Sequence, residues 1–508
     1  MKIPALFTLI QVVLAFSAWG QTAISYTLSV SDPKTHQYQV SMKISGITGD
    51  QLTLKMPQWH PGYYRIMEYG KDVHGFRVKG DLEVTVKHPS VNTWQLTGIS
   101  RSDLVVEYAI QTHRKFVANS YVEEGRAYII PENTFMYVSD KMNLAPQVKI
   151  VIPTANSTIA TGLDLVNDNT HVYIAENYDI LYDCPILVGD LEELSPFDVG
   201  GKIHRFIGYQ LGSFDRELFM DRLQAIVKSA SDIIGDIPYE QYTFIAIGPG
   251  RGGIEHLNNT TVSFDGNQLK SIEDYNRVLN FLAHEYFHHY NVKRIRPYEL
   301  GPFDYENGNR TNLLWVSEGL SVYYEYIITR RAGISNDSLF LANFSRDITS
   351  FENSPGKSHQ SLAESSFYTW SNGPFGSEGI DPEKSISYYV KGPIVGLLLD
   401  LAIRHASKNQ RSLDDVMRLA YQRYYHQLNR GFTDVEFNSL CEEVAGTALS
   451  ELFQYVYTPN ALNYDMYLAY AGLVLVKEEN AENTAYTIRK SQESTDLSEE
   501  IFASLVGE

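Results

Sequence analysis

The segment FLAHEYFHHYNVKRIRP, residues 281–297, carries two histidines four positions apart with a glutamate between them. On a helix, His284 and His288 would lie on one face and direct both imidazoles at the same point. Neutral imidazole is a good zinc ligand, and Glu285 would project beside the metal, where a carboxylate can accept a proton from a bound water. The spacing predicts a zinc-binding catalytic helix. The alternative is a buried helix whose histidines serve only packing.

A third ligand distinguishes a catalytic zinc site from a chance pattern. Glu318 lies thirty positions after His288, in the segment WVSEGLSVYYE, which is predicted to be a largely apolar helix. A carboxylate among such residues is costly unless a cation or a metal faces it. We therefore expect Glu318 to join His284 and His288 on one metal ion and to leave an open position for water, as catalytic zinc requires. The alternative is a solvated glutamate in the first turn of that helix.

Two flanking segments carry candidate substrate-binding groups. Gly252 and Gly253 precede Glu255 at the end of a predicted strand. Two glycines let a peptide approach the backbone closely and pair with the strand edge. Glu255 would then meet the α-ammonium group of the substrate, unless it is a surface residue of a turn. Tyr389, in SYYVKGP, precedes an apolar helix, and its phenol could hydrogen-bond the oxyanion of a tetrahedral intermediate.

The elements that must position these residues follow from the hydrophobic periodicity. Apolar and polar residues alternate in several segments between residues 24 and 190, which predicts successive strands and a β-sandwich-like domain. Helical spacing takes over after residue 193 and is interrupted by a buried strand that runs into the glycine-rich turn. Helices dominate from Ser271 onward, where a capping start is expected. Residues 353–385 are loop-like, and a loop of that length within a domain is often functional.

These patterns predict a multidomain α+β protein, because 508 residues exceed what one hydrophobic core accommodates. The predicted segments are a signal peptide (1–20), an N-terminal β-rich domain (21–192), a catalytic α+β domain (193–350), a helical domain with an active-site loop (351–477) and a polar, partly disordered tail (478–508).

The composition and the N-terminus bear on partners and location. The formal net charge of −19 disfavours nucleic acid or an anionic membrane as a partner. The N-terminus, MKIPALFTLIQVVLAFSAWGQTA, has one lysine, an apolar run and then small residues, which is typical of a secretory signal cleaved near Gly20. Its apolar run falls short of the roughly 20 residues of a membrane span, and a short membrane anchor is the alternative. We expect a periplasmic or secreted protein without stable membrane insertion after cleavage.

Two cysteines, Cys184 and Cys441, are present. In an oxidising compartment they could form a disulfide, or they could be two separate buried thiols, and the sequence leaves both possibilities open. It also leaves the oligomeric state open.

The motifs together resemble the glycyl aminopeptidase family of gluzincin zinc metallopeptidases. The segments PQWHPGYYRIMEY, GGIEHLNNT, HEYFHHYNVKRIRP, WVSEGLSVYYE, HQSLAESSFYTW and SYYVKGPIVGLLLD carry the resemblance in order over nearly the whole chain. The family implies a β-rich N-terminal domain, a thermolysin-like catalytic domain and a helical domain behind it. It also implies one zinc ion per chain on His284, His288 and Glu318.

The resemblance further implies roles for the residues around the metal. Glu285 would be the catalytic base, Glu255 would anchor the free N-terminus of the peptide, and Tyr389 would steady the oxyanion, with neighbouring Tyr388 as the alternative. Members of the family usually carry a PDZ domain after the helices, and this chain is expected to lack one. Val322 stands four positions after Glu318, so the group that orients the histidines is expected to be Glu325 or a backbone carbonyl.

The sequence therefore predicts an exported zinc aminopeptidase that hydrolyses peptides with a free N-terminus by means of a metal-activated water. A preference for small N-terminal residues, Gly or Ala, is implied by the resemblance. A secreted endopeptidase with the same zinc chemistry is one alternative, and a catalytically inactive exported peptide-binding protein is an alternative of another class.

Overall fold

A computed structural model describes residues 22–80, 83–101, 103–151, 157–167, 170–479 and 484–508 of the chain. The predicted signal peptide at residues 1–20 lies outside these ranges. Within them the chain forms 23 strands and 13 α-helices, and the multidomain α+β fold class is confirmed.

The first part of the chain is β-rich, as the alternating pattern predicts. Its elements are β1 (Ala23–Ser29), β2 (Gln37–Ser45), β3 (Gln51–Lys55), β4 (Val73–Val78), β5 (Thr85–Ser90), β6 (Thr93–Thr97), β7 (Leu104–Gln111), β8 (Tyr121–Glu123), β9 (Arg126–Ile129), β10 (Tyr137–Val138), β11 (Gln147–Val151), β12 (Thr158–Thr161), β13 (Asp164–Asn167), β14 (Val172–Ile174), α1 (Tyr178–Tyr182) and β15 (Ile186–Gly189).

These strands build three sheets whose inward residues form one core. Among the described strands the orders are β13-β14-β11-β1-β2-β7-β4, β10-β3-β6-β5 and β12-β15-β9-β8. On β2, the alternating residues Tyr38, Val40, Met42 and Ile44 are all buried, so one face of the strand supplies the core and the other faces away from it.

A second mixed sheet begins the catalytic part. Its elements are β16 (Leu191–Glu193), β17 (Phe197–Val199), β18 (Lys202–Tyr209), α2 (Arg216–Ile234), β19 (Gln241–Ala246), β20 (Gly253–Glu255), β21 (Asn259–Val262) and α3 (Ile272–Phe287). The order is β16-β18-β19-β21-β20, with β18, β19 and β21 parallel and β20 antiparallel to β21. Among the described strands, β20 therefore lies at the edge of the sheet, next to α3.

Helices follow to the end of the chain, apart from one hairpin. After a π-helical turn at Trp315–Gly319 come α4 (Leu320–Arg331), α5 (Asp337–Glu352), α6 (Leu362–Phe367), α7 (Thr369–Asn372), α8 (Tyr388–Ala406), α9 (Leu413–Ala420), a second π-helical turn (Tyr421–Gln427), α10 (Asp434–Ala445), α11 (Ser450–Tyr457), α12 (Tyr464–Ala469), β22 (Leu473–Glu479), β23 (Thr484–Lys490) and α13 (Asp496–Val506).

The expectation of a partly disordered tail from residue 478 is wrong for the described residues. β23 pairs with β22 along its whole length, and α13 begins at a Thr495 cap and buries Ile501, Phe502, Leu505 and Val506 against the main core. Polar residues dominate the average composition of the segment, but the few apolar ones recur at helical spacing and are enough to dock one face.

The core of the catalytic part continues without a break into the helices beyond residue 350. One buried cluster includes residues from Phe206 on β18 to Val506 on α13. The predicted boundary between a catalytic and a helical domain at residue 350 stays a prediction. The segment Pro382–Ala406 is long and apolar enough to cross a membrane, yet 89% of its most apolar stretch is buried within the protein. α8 is therefore a central core helix.

The two cysteines lie in different places. Cys184 belongs to the core of the β-rich part and Cys441 to the core of the helical part, and both are free and buried. Of the two possibilities that the sequence left open, the structure shows separate buried thiols.

The β-rich part is fixed to the second sheet through a small apolar interface. Val117, Tyr128 and Leu187 pack there against Ile245 and Ile254 of β19 and β20. In addition, the segment that contains Trp59 and Tyr64 leaves the β-rich part and enters the main core. The edge strand β20 is thereby held between the two parts of the molecule.

Local signals explain where α3 begins and ends. Ser271 caps the helix and forms a reciprocal capping box with Asp274, as the sequence predicts. The helix ends at Phe287, with His288 as its C-cap, well before Pro297. His284 and His288 thus occupy the last turn, where the helix meets the segment that carries Glu318.

A close crossing of two backbones sets the position of Glu318. The π-helical turn packs on the start of α8, and a Cβ added at Gly319 would lie 2.7 Å from the Cα of Gly392 and 2.9 Å from the carbonyl oxygen of Tyr388. No side chain fits at either glycine, so the crossing brings the backbone beside Glu318 against the turn that carries Tyr389.

Replacing Gly319 by alanine tests this constraint. We expect Gly319→Ala to destabilise the protein by about 1–3 kcal/mol through overpacking and to weaken zinc retention, because Glu318 is the adjacent residue. Gly446→Ala is the control: a Cβ there meets open space, so only backbone strain at its positive φ, about 1 kcal/mol, is expected, with zinc content unchanged. Thermal unfolding and metal analysis measure both. Wild-type behaviour of Gly319→Ala in both measurements would contradict the proposed crossing constraint.

Candidate active site

Two imidazoles and a carboxylate converge where α3 ends beside the π-helical turn. The Nε2 atoms of His284 and His288 lie 2.9 Å apart, and Glu318 Oε2 lies 3.7 Å from His284 Nε2 and 3.2 Å from His288 Nε2. All three side chains are buried. Among the described residues they form the one group of three or more potential metal ligands that meets at a common point.

The spacing of these three atoms fits a zinc ion. Ligands about 2.0–2.1 Å from a tetrahedral zinc lie about 3.3 Å from one another, and the three separations bracket that value. Burial by itself would raise the pKa of the Glu318 carboxyl, but His288 and His284 hold it below its usual range. The carboxylate therefore stays ionised, which is the form that binds a metal.

The far side of each imidazole is held by a different group. His288 Nδ1 donates a hydrogen bond to the carbonyl oxygen of Asn291 over 2.6 Å, and His284 Nδ1 lies 3.3 Å from Glu325 Oε2. Both alternatives from the sequence are thus present, one for each histidine. The hydrogen bond at His288 Nδ1 keeps the proton there, and the Glu325 carboxyl beside His284 Nδ1 favours the same tautomer, so both Nε2 lone pairs are free for a metal.

Asn291 also joins the two ligand-bearing segments. Its side-chain nitrogen donates to the carbonyl oxygens of Val316 and Ser317, over 2.8 and 3.1 Å. The same residue therefore orients His288 through its backbone and ties the π-helical turn to the end of α3 through its side chain. This tie is one of the contacts that keep Glu318 opposite the histidines.

Glu285 follows His284 on α3 and faces Gly253 of β20. It is buried, and its Oε2 atom has no hydrogen-bond partner among the described residues. Burial raises the pKa of the Glu285 carboxyl to about 8, although His284 and His288 oppose the shift. A carboxyl group with a pKa near neutrality can both accept and return a proton.

Gly253 gives Glu285 its space. A Cβ on Gly253 would lie 2.7 Å from the carboxyl carbon of Glu285, so any side chain there would displace the carboxylate. The glycine on the edge strand β20 therefore lets α3 pack closely against the strand, and Gly253 and Glu285 both line the cavity described below.

Tyr389, rather than Tyr388, reaches the metal position. The Tyr389 hydroxyl donates to Glu318 Oε2 over 2.9 Å, whereas the Tyr388 hydroxyl lies 3.1 Å from that of Thr369 and is fully buried. Burial, followed by the charge of Glu318, raises the pKa of Tyr389 well above its usual value, so its hydroxyl stays a proton donor.

Glu255 lies on the same face of β20 as Gly253, two residues further on. Its side chain is almost completely buried and packs under Gly62 of the β-rich part, where a Cβ would come within 2.8 Å of Glu255 Oε2. Burial raises the pKa of Glu255 even though His288 and Lys293 lower it. The carboxylate lies at the inner end of the edge strand, close to the metal position but separate from it.

Tyr64 is a site residue that the sequence reasoning did not assign. Its hydroxyl lies 3.5 Å from Glu318 Oε1, on the other oxygen from Tyr389, and its ring packs near Trp59 and Trp370. The segment PQWHPGYYRIMEY was recognised as a family resemblance, yet nothing in its own composition shows that it enters a core formed by residues at least 130 positions away.

An apolar cavity of about 520 Å³ opens onto His284, Glu285, Tyr64 and Tyr389. Its wall includes His284 and Glu285 of α3, Gly253 of β20 and Gly252 just before that strand. The β-rich part and residues 369–378 complete the wall. The lining residues are Gly62, Tyr63, Tyr64, Arg65, Phe116, Val117, Arg251, Gly252, Gly253, Ile254, Phe281, His284, Glu285, Val322, Glu325, Thr369, Trp370, Gly373, Pro374, Phe375, Glu378, Tyr388 and Tyr389.

The loop-like stretch 353–385 contributes to this wall, although it contains the short helices α6 and α7 that the sequence did not predict. Trp370 and Phe375 cover the cavity from this side. The loop therefore lies over the site, as its length suggested.

Replacing Glu325 tests whether the group behind His284 tunes the metal site. We expect Glu325→Gln to weaken zinc binding by roughly 10–100-fold, because the amide removes the negative charge that supports the imidazole. Competition with a chelator of known affinity measures the change. Glu240→Gln is the control, since its side chain is 93% exposed and remote from the cavity. Equal zinc affinity in Glu325→Gln and wild-type protein would contradict the role of Glu325.

Two sequence models match the chain. Residues 25–190 match the Peptidase M61 N-terminal domain, and residues 277–395 match the M61 glycyl aminopeptidase. The second range contains His284, Glu285, His288, Glu318 and Tyr389. No curated protein matches.

Solved structures share the fold. The aminopeptidase N family protein from Idiomarina loihiensis is 26% identical, with a TM-score of 0.83, and the match covers 90% of this chain and 79% of that one. A mutant M1 zinc metallopeptidase from Deinococcus radiodurans, bound to a Tyr-Ser-Ala substrate, is 13% identical with a TM-score of 0.52 over 87% and 95% of the two chains. At that identity the second likeness shows the fold alone.

One assignment accounts for the two sequence matches, for the likeness to the Idiomarina loihiensis structure and for the convergence of two histidines and a glutamate. The chain belongs to the M61 glycyl aminopeptidase family and is a zinc metallopeptidase.

Proposed function

We propose that this zinc aminopeptidase is exported and removes small N-terminal residues, Gly or Ala, from peptides. The observation that carries the proposal is the arrangement around the cavity: Glu285 beside the three potential ligands, an edge strand along the wall and Glu255 buried at the end of that strand. The preference for small residues is supported by the family, and export by the signal-like sequence at the N-terminus.

His284, His288 and Glu318 would hold one zinc ion per chain. When bound, zinc supplies a Lewis acid for the scissile carbonyl and makes a water molecule acidic enough to attack it. The protein groups around this position then decide where the substrate lies and where the protons go.

Glu285 handles the proton. Its carboxylate can take a proton from the attacking water and deliver it to the nitrogen of the departing peptide. Because its Oε2 atom makes no hydrogen bond with the described residues, no protein contact must break before this transfer.

Tyr389 faces the charge that develops on the carbonyl oxygen. Its hydroxyl already points to the metal position and can donate a hydrogen bond to the oxyanion of the tetrahedral intermediate. The Gly319–Gly392 crossing holds the start of α8 in place, so Tyr389 needs only to redirect its O–H from Glu318 to the oxyanion.

Glu255 determines that the enzyme acts on an N-terminus. A peptide that pairs with the edge of β20 would place its α-ammonium group at this buried carboxylate. A peptide with a neutral end would leave the charge of the Glu255 carboxylate without a partner. Beyond Glu255, His256 is fully buried, so the chain of the substrate cannot continue in that direction.

Replacing the base separates metal binding from turnover. We expect Glu285→Gln to retain zinc and to lose roughly 10²–10⁴-fold in kcat on an alanyl reporter peptide, since only the proton transfer is removed. Glu273→Gln, in the exposed first turn of the same helix, is the control and should match the wild type. Undiminished kcat in zinc-loaded Glu285→Gln would refute the mechanism.

Acetylating the substrate tests the exopeptidase assignment. A peptide with a free N-terminal alanine should be cleaved, whereas its N-acetylated form should resist cleavage because Glu255 loses its ammonium partner. Glu255→Gln should raise KM for the free peptide at least tenfold, as expected when a charge-assisted contact is lost. Product analysis by mass spectrometry measures both.

Equal cleavage of the free and acetylated peptides would instead identify an endopeptidase. Failure of the zinc-loaded protein to cleave either one would favour a peptide-binding protein.

A further inference from the structure

A cation in the cavity wall is not used by the mechanism above. Arg251 lies in the glycine-rich turn GPGRG before β20, is exposed and lines the cavity. Within the described part of the chain it has no ion-pair or side-chain hydrogen-bond partner. The other arginine of the cavity wall, Arg65, is already paired with Glu378 over 3.1 Å. Arg251 is therefore the lining cation whose charge is available to a ligand.

The strand geometry gives the direction of a bound peptide, provided that its N-terminus is at Glu255 as proposed above. His256, the next residue, is fully buried, whereas Gly253 and Gly252 become progressively more exposed. A peptide anchored at Glu255 must therefore run antiparallel to β20, past Gly253 and Glu285, toward Gly252. Its C-terminal end then approaches Arg251.

The distances along the strand limit the length of that peptide. At about 3.3 Å per residue, the four positions from Glu255 to Arg251 span at most roughly 13 Å, because the chain turns at Gly252 (φ 88°), and an extended tripeptide spans roughly 10 Å. The long arginine side chain can close the remaining gap. The free carboxylate of a peptide of three or four residues would thus reach the guanidinium, while that of a longer peptide would pass beyond it.

The charges of the cavity favour this use of Arg251. The protein has a formal net charge of −19, and Glu285 and Glu325 also line the cavity, so a peptide carboxylate has few favourable positions within it. A guanidinium group matches a carboxylate through two parallel hydrogen bonds, which a lysine cannot reproduce in the same geometry.

We propose that Arg251 binds the C-terminal carboxylate of tri- and tetrapeptides, so that the enzyme is selective for short peptides held at both ends. The inference rests on the proposed function because it uses Glu255 as the N-terminal anchor.

A comparison of acid and amide substrates tests the proposal. For wild-type enzyme we expect Ala-Ala-Ala to have a kcat/KM roughly 10–100-fold above that of Ala-Ala-Ala amide, which is the size expected when a hydrogen bond to a charged group is lost. The difference should lie mainly in KM. A ten-residue peptide with the same first three residues should behave like the amide. Arg251→Gln should abolish the difference between acid and amide, and Arg251→Lys should restore part of it.

The controls keep this test separate from that of the proposed function. Arg277→Gln, an exposed arginine on α3 that pairs with Asp274 and does not line the cavity, should keep the wild-type ratio. The same acid and amide contrast is measured as binding affinity in the Glu285→Gln background, where turnover is not needed.

An equal preference for acid and amide in the wild type, or an unchanged ratio in Arg251→Gln, would overturn the role of Arg251. A preserved acid preference in binding without any turnover in the wild type would instead contradict the proposed function.

Discussion

The structure depends on a buried carboxylate held opposite two imidazoles. Glu318 is placed among apolar residues of the main core, where an ionised group is costly unless a cation faces it. The charge is acceptable because α3 presents His284 and His288 at the same point. The remaining contacts of the region, from Asn291 to the Gly319–Gly392 crossing, serve to keep these two segments in register.

The catalytic groups are distributed over parts of the chain that are distant in sequence. α3 provides the histidines and Glu285, the π-helical turn provides Glu318, and the start of α8 provides Tyr389. The β-rich part adds a second phenol, Tyr64, and covers Glu255 with Gly62. Because the cavity lies between these parts, its shape depends on how the β-rich part is docked as well as on the metal ligands. An N-terminal domain that only packed against the outside would leave the wall open.

Much of the site could be predicted because helical spacing is a local property. The separation of His284 and His288 fixes their common face, and an acidic residue in the apolar segment around Glu318 indicates a compensated charge. The strands of the β-rich part were predictable for the same reason, since their alternation reports burial directly.

The contacts that could not be predicted are those set by tertiary packing or by irregular backbone. The sequence offered Glu325 and a backbone carbonyl as alternatives for the group behind the histidines, and only the fold shows that both are used, Glu325 beside His284 and the Asn291 carbonyl beside His288. Tyr64 reaches the site only because its segment enters a distant core, and no local pattern encodes that docking. The folded α13 was missed because average polarity conceals a single apolar face.

The most direct test of the account is to locate the metal in crystals of the purified protein by anomalous diffraction at the zinc edge. The account predicts one peak per chain, about 2.0–2.2 Å from His284 Nε2, His288 Nε2 and an oxygen of Glu318. A peak at another site, or a Glu318 carboxylate turned away from the bound ion, would contradict it.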